Sequence, residues 1–274
     1  MNSLLPHQLR TLPPLPYVAH EVLVAVNDTD ASLTHIARAL AREPGLAARV
    51  VSMANSAFYA DQRAIHSIEE AVVRLGLNRV RVLAASILLA QQFDTSACRP
   101  FRMDRYWHAA VATAFCAARV SRCLSSADVA EDVAYLAGLL HNIGLLLLVH
   151  VFPKEMSVVL AAANDGGRGS LPALAQEELG IDHHAAGALL LSEWGMSKEV
   201  VVVARHVNDR LYDGPASEVA AMIRVCAEWA ETGFSSLPVE AETMIPAQHL
   251  NAVGAACRRE QEHLEAFARL LGGG

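Results

Sequence analysis

No two of the five cysteines (Cys98, Cys116, Cys123, Cys226, Cys257) form a Cys-x-x-Cys pair, which removes the usual signature of a zinc or dithiol redox site. Reduced structural thiols are the plain reading. Aromatic residues make up 5% of a sequence that is 53% hydrophobic, so the apolar content rests on Ala, Leu and Val, a mix that favours helix packed on helix over an aromatic-rich sheet. The expected class is all-α. Positive charge is also short, with Lys+Arg 22 against Asp+Glu 29 and a formal net charge of −7, so there is no overall positive field to attract nucleic acid. The longest apolar run, Ile143 to Val149 followed by His150, Val151 and Phe152, falls short of the roughly 18 residues that a membrane span needs. Met1 to Arg10 lacks the basic, apolar and small-residue layout of a secretory signal. A soluble, cytoplasmic protein without a membrane partner is expected.

What is present is a succession of helical patterns separated by stop signals. Leu33, Ile36, Ala37 and Leu40 recur at helical spacing before Pro44-Gly45. Ser67-x-x-Glu70 has the form of a capping box, followed by Ile68, Ala71, Val72 and Leu75 on one face and Gly76 as terminator. Asn78 can cap a helix carrying Val80, Leu83, Ala84, Ile87 and Leu88, and Asp104 can cap one carrying Trp107, Ala110, Val111, Ala114 and Phe115. Asp128-x-x-Glu131 opens a helix whose apolar stripe runs through Leu136, Leu140, Gly144 and Leu148, with His141 on that stripe. Further helices are expected through Leu179, from His183 to Trp194, from Lys198 to Val207, around Val219 to Ala230, and finally up to Leu271. The clearest seam lies near residues 93 to 103, where Asp94-Thr95-Ser96 and Pro100 interrupt the pattern.

Several of these segments carry a resemblance. Leu12-Pro13-Pro14-Leu15-Pro16, Glu43-Pro44-Gly45-Leu46, Ala54-Asn55-Ser56-Ala57-Phe58-Tyr59 and Arg74-Leu75-Gly76-Leu77 resemble the N-terminal half of an HDOD domain. Leu139-Leu140-His141-Asn142-Ile143-Gly144, Gly180-Ile181-Asp182-His183 through Gly187, and Trp194-Gly195 resemble its second half, with matching order and spacing over about residues 12 to 210. The resemblance implies a multi-helix HD-like bundle with an N-terminal helical lobe, related to metal-dependent phosphohydrolases. It divides the chain into residues 1–95 (N-terminal lobe), 96–212 (HD-like lobe) and 213–274 (helices that complete or cap the bundle).

The resemblance also says where to look for chemistry. In the hydrolases, neutral imidazoles and anionic carboxylates hold a divalent ion, which lowers the pKa of a bound water. The position of the first family histidine is Ala109, with His108 displaced by one residue, or about 100° around a helix. The histidine-aspartate dyad reads His141-Asn142, and an amide oxygen cannot bridge two cations as a carboxylate does. The later aspartate aligns best with Glu228, and the paired histidines are represented at most by His206. The candidate vestigial metal or ligand pocket is therefore His141, Asn142, His183, His206 and Glu228, with no catalytic residue, metal or cofactor assigned.

Each candidate has a plainer alternative. His141 and Asn142 read as buried polar residues bonded to a carbonyl or to their surroundings, and His206 with Asp209 as a solvated helix end. His183 and His184 project about 100° apart, so one of them caps or packs. Asn55 and Ser56 read as a structural pair, and Phe58 and Tyr59 as core anchors; Gly76 and Trp194 complete the structural motif. The basic cluster Arg74, Arg79 and Arg81 suggests phosphate, but a solvated helix face explains it better. The leading expectation is a non-catalytic signalling module that contacts other signalling proteins, in cyclic-dinucleotide, two-component or chemotaxis pathways. A residual phosphohydrolase built on His141, His183, His206 and Glu228, and a sensor of a small ligand such as a nucleotide, are the two alternatives.

Overall fold

A computed structural model describes residues 48, 50–52, 54–55, 63–76, 80, 84, 87–88, 92–124, 129–165 and 169–271. Among them, all regular structure is helical. The expected helix from Leu33 to Leu40, the Leu12–Pro16 and Glu43–Leu46 motifs, and Ser56, Phe58, Tyr59, Asn78, Arg79, Arg81 and Asp128 lie outside the described residues.

The helices with defined bounds are α1 (Ile68–Leu75), α2 (Met103–Ser121), α3 (Glu131–Leu140), α4 (Ile143–Val151), α5 (Pro153–Asn164), α6 (Leu171–Leu179), α7 (His183–Glu193), α8 (Lys198–His206), α9 (Ser217–Glu231), α10 (Ala241–Met244), α11 (Ala247–Arg259) and α12 (Gln261–Leu271). At the start of α1 the Ser67 hydroxyl accepts from the Glu70 N–H at 3.1 Å. The reciprocal arm of the box reaches one residue further back, where Glu70 Oε2 accepts from the His66 N–H at 2.7 Å. Gly76 ends α1 at φ 84°, a backbone state that a side chain would strain. Ahead of α1, the Asn55 amide clamps the backbone ten residues on: Nδ2 donates to the Ile65 carbonyl at 2.7 Å and Oδ1 accepts from the Ile65 N–H at 2.9 Å.

α2 is the central helix. Its buried side chains surround it on nearly every face, and α3, α9, α11 and α12 all pack against it. Alanine makes this possible: a Cβ placed on Gly138 of α3 would stand 2.8 Å from Ala114 Cα, so the two backbones approach as closely as glycine and alanine permit. The helices after residue 213 share this core, with Cys226 on α9 and Cys257 on α11 buried against Cys116 on α2.

Three expectations are corrected. Asp104 does not cap α2; the helix starts at Met103, and Asp104 sits in its first turn, paired with Arg102 at 2.8 Å. The helix expected to run from Asp128 through Leu148 is broken at His141-Asn142, where Asn142 adopts φ −113°, ψ 16° and turns the chain into α4. Finally, Glu131–Val151 spans 21 residues and is apolar enough to cross a membrane by length and composition, beyond what the short Ile143–Val149 run indicated. Most of it is buried in the bundle, where α4 is packed between α5 and α7.

Candidate functional site

The turn at His141-Asn142 is the feature that builds a site. His141 is buried at the C-terminal end of α3, and its Nδ1–H donates to the Gly138 carbonyl at 2.6 Å, leaving the Nε2 lone pair as the free function of the ring. Burial pushes its pKa down to about 4, the Gly138 bond opposing and the nearby His184 reinforcing the shift. His183 opens α7 and is buried with Nδ1 unbonded; burial, then the neighbouring His184 and His141, hold it well below its ordinary value. His184 follows with its ring centroid 4.1 Å from that of His183, and its Nε2 accepts from Asn208 Nδ2 at 2.8 Å. In all three rings burial is the leading cause and favours the neutral form.

Two glycines let the rings gather. A Cβ on Gly144 would collide with the His183 carbonyl oxygen and stand 2.8 Å from Gly187 Cα, while one on Gly187 would lie 3.0 Å from the Gly144 nitrogen. The α4–α7 crossing therefore demands glycine at 144, and a side chain at 187 would be tight. Asp182 fixes the start of α7 by accepting from the Ala185 N–H at 2.8 Å, and Trp194 closes it, buried with its ring 6.3 Å from Phe93.

Two pockets flank the histidines. The first, of about 240 Å³, lies between the first turns of α2, the His141-Asn142 turn and the end of α5. Ala109, His141 and Asn142 line it together, so the positions that the resemblance assigns to the first histidine and the dyad do converge. The rest of its wall includes Arg102, Arg105 and Tyr106 and contains no carboxylate. The second, of about 640 Å³, lies between α7, α8 and α9 and is lined by His184, His206 and Glu228 among others. His183 lines neither.

The five candidate residues thus divide. His206 stacks on Tyr212 at 3.9 Å and holds Nδ1 3.6 Å from Asp209 Oδ2. Glu228 is engaged by Arg210, which also binds Glu240. Arg224, buried on α9, donates Nε and Nη2 to Glu240 Oε2 at 3.2 and 2.9 Å and reaches the carbonyls of Val207 and Asp209 at 3.4 Å. Arg205 faces Asp182 at 3.7 Å. Of the basic cluster, Arg74 donates to the Arg63 carbonyl, which accounts for it structurally.

These donors do not fit a divalent ion. Ala109 offers no ligand, Asn142 offers a neutral one, and the surrounding charge in the first pocket is arginine. Among the described residues, no group of three or more His, Cys, Asp and Glu side chains is placed to hold a metal. The pocket residues that the sequence reading passed over are Arg102, Arg105 and Tyr106, although with Ala109 they recur at the i, i+3, i+4, i+7 spacing of one helix face.

The HDOD domain profile matches residues 12–210. The chain belongs to the HDOD family. A crystal structure from Marinobacter aquaeolei VT8, of a protein provisionally named for signal transduction, is 27% identical with a TM-score of 0.83 and is matched over 96% of this chain and 60% of its own. A provisionally named phosphohydrolase from Shewanella amazonensis SB2B (23% identical, TM-score 0.80, 96% of each chain) and an HDOD domain protein of unknown function from Geobacter sulfurreducens (20%, TM-score 0.78, 96% and 97%) share the fold. An uncharacterized protein of Treponema pallidum (strain Nichols) is 24% identical over 196 residues, 71% of this chain and 37% of that protein. This chain thus spans less than two thirds of the Marinobacter and Treponema relatives. The helical fold is what the three solved structures share with this chain; one of them is named for signal transduction and one for phosphohydrolysis.

Proposed function

We propose that this HDOD protein is a non-catalytic, cytoplasmic signal-transduction module that acts through protein–protein contact in cyclic-dinucleotide, two-component or chemotaxis signalling. Residues 1–95 form the N-terminal lobe, 96–212 the HD-like lobe, and 213–274 complete the bundle around α2. One observation carries the reading: the pocket holding His141 and Asn142 has arginines where hydrolysis needs carboxylates. A divalent ion there would face like charge and too few donors, and without it no water is activated. The Marinobacter structure, whose name refers to signal transduction, supports the same reading.

The test is elemental analysis of protein purified without chelator, together with hydrolysis of bis-p-nitrophenyl phosphate and cyclic di-GMP in added Mn²⁺ or Mg²⁺. The expected result is no stoichiometric metal and no turnover, with pull-down recovering a receiver or cyclic-dinucleotide-handling protein. Turnover that disappears in His141→Ala would overturn the proposal in favour of a residual phosphohydrolase.

A further inference from the structure

We propose that the pocket between α2, the His141-Asn142 turn and α5 is a binding site for a small organic monoacid, a ring-sized apolar body bearing one carboxylate. This assignment rests on the reading that no metal occupies the pocket. Size narrows the ligand first. About 240 Å³ accommodates a single ring with its substituent; a larger ligand would have to extend out of the mouth, beyond the wall described.

Charge narrows it further. Of the two arginines in the wall, Arg102 is matched by Asp104 through Nε and Nη2 at 3.1 and 2.8 Å. Arg105, exposed at the mouth, has no ion pair among the described residues. One uncompensated guanidinium selects one negative charge, and its fork suits a carboxylate. Phosphate monoesters, with nearly two charges at neutral pH, exceed what the wall neutralises.

The rest of the wall suits the apolar body. Tyr106, buried with its hydroxyl shielded from solvent, lines the pocket beside Leu145 and Leu160, and together they offer the ring its contact surface.

Isothermal titration of the full chain with benzoate, phenyl phosphate and Mn²⁺ in separate experiments tests this. Benzoate is expected to bind in the micromolar to millimolar range of a small fragment, and phenyl phosphate more weakly. Arg105→Met should weaken benzoate at least about fivefold while Arg105→Lys recovers part of it, since Met keeps the stem and Lys the charge. Absence of benzoate binding with Mn²⁺ also inert would overturn this inference alone. Tighter phenyl phosphate would overturn the monoacid assignment, and stoichiometric Mn²⁺ would overturn the non-catalytic reading and this inference together.

Discussion

On the α5 side of the buried histidines, Arg105 and the Tyr106 hydroxyl have no partner among the described residues; on the α9 side, Arg205, Arg210 and Arg224 are each matched with Asp182, Glu228 or Glu240. Both pockets carry arginine, yet only one leaves free energy for an outsider to gain. Where every charge is already answered, an incoming ion must break an existing pair, and the network reads as a structural clamp of α8, α9 and the segment before α10. Where a guanidinium stands alone, a ligand only has to arrive. The comparison explains why the larger cavity is the less promising site.

The wall between the two regions is where this comparison breaks most easily. Gly144→Ala drives a methyl into the His183 backbone, so either α4 or α7 must shift. The expected loss is about 3 kcal/mol or more, the upper end of overpacking costs, measured by urea unfolding, with benzoate binding lost as well. A loss under about 1 kcal/mol would mean that the crossing is looser than described.

Acid separates the two sides next. The folded pKa of His141 is about 4 against an ordinary 6.5, so between those values the unfolded chain binds a proton that the folded chain refuses. Its contribution to stability is therefore complete above pH 6.5 and lost as pH falls towards 4, about 3 kcal/mol in all at roughly 1.4 kcal/mol per pH unit. Buried His183 and His184 act in the same direction. Glu240 on the α9 side is shifted the other way in effect: Arg224 first among the causes holds it below its ordinary 4.5, so its charged form is favoured where the charged form of His141 is resisted. Urea midpoints at pH 7.5, 6 and 5 should fall steadily, and His141→Gln should flatten the slope. Superimposable profiles for the two proteins would contradict the burial of a neutral His141.

The α9 clamp should respond to Arg224→Met. The substitution keeps the buried stem but leaves Glu240 without its strongest partner and the Val207 carbonyl without its donor, while the Asp209 carbonyl keeps the Tyr212 N–H. Charged hydrogen bonds of this kind contribute about 1–3 kcal/mol; Glu240 is a third exposed, so water recovers part and the lower half of that range is expected. Benzoate binding at the opposite pocket should be unchanged, which is the sharper half of the prediction, read by titration.

How far the sequence foretold this depends on the kind of signal. The Ser67 cap, the α7 span from His183 to its Trp194 end, and the break at Gly76 were legible because capping and turn chemistry is local. The turn at His141-Asn142 was not, because the apolar period runs through it unbroken and only tertiary packing of Gly144 on Gly187 favours the break. The convergence of Ala109 with His141 and Asn142 followed from the family resemblance. The capture of Glu228 by Arg210 and of Glu240 by Arg224 joins residues that sequence spacing does not relate. The orphan state of Tyr106 is a property of its surroundings, and no residue pattern announces it.

The smallest expected effect tests the charge logic directly. Asn142→Asp restores the dyad carboxylate and places it in a pocket whose nearest free charge is Arg105. Partial burial opposes the new charge and the guanidinium favours it, so stability should move by less than about 1 kcal/mol. Mn²⁺ should still fail to bind, since Ala109 contributes no donor and the arginines remain, and titration calorimetry reads that outcome. Benzoate affinity should fall, because the introduced carboxylate would compete for the Arg105 guanidinium with a charge already in place. If Asn142→Asp instead recovers Mn²⁺ binding, the pocket is one substitution away from a metal site, and the contrast between an arginine-lined ligand pocket and a self-satisfied ion network would need a different cause.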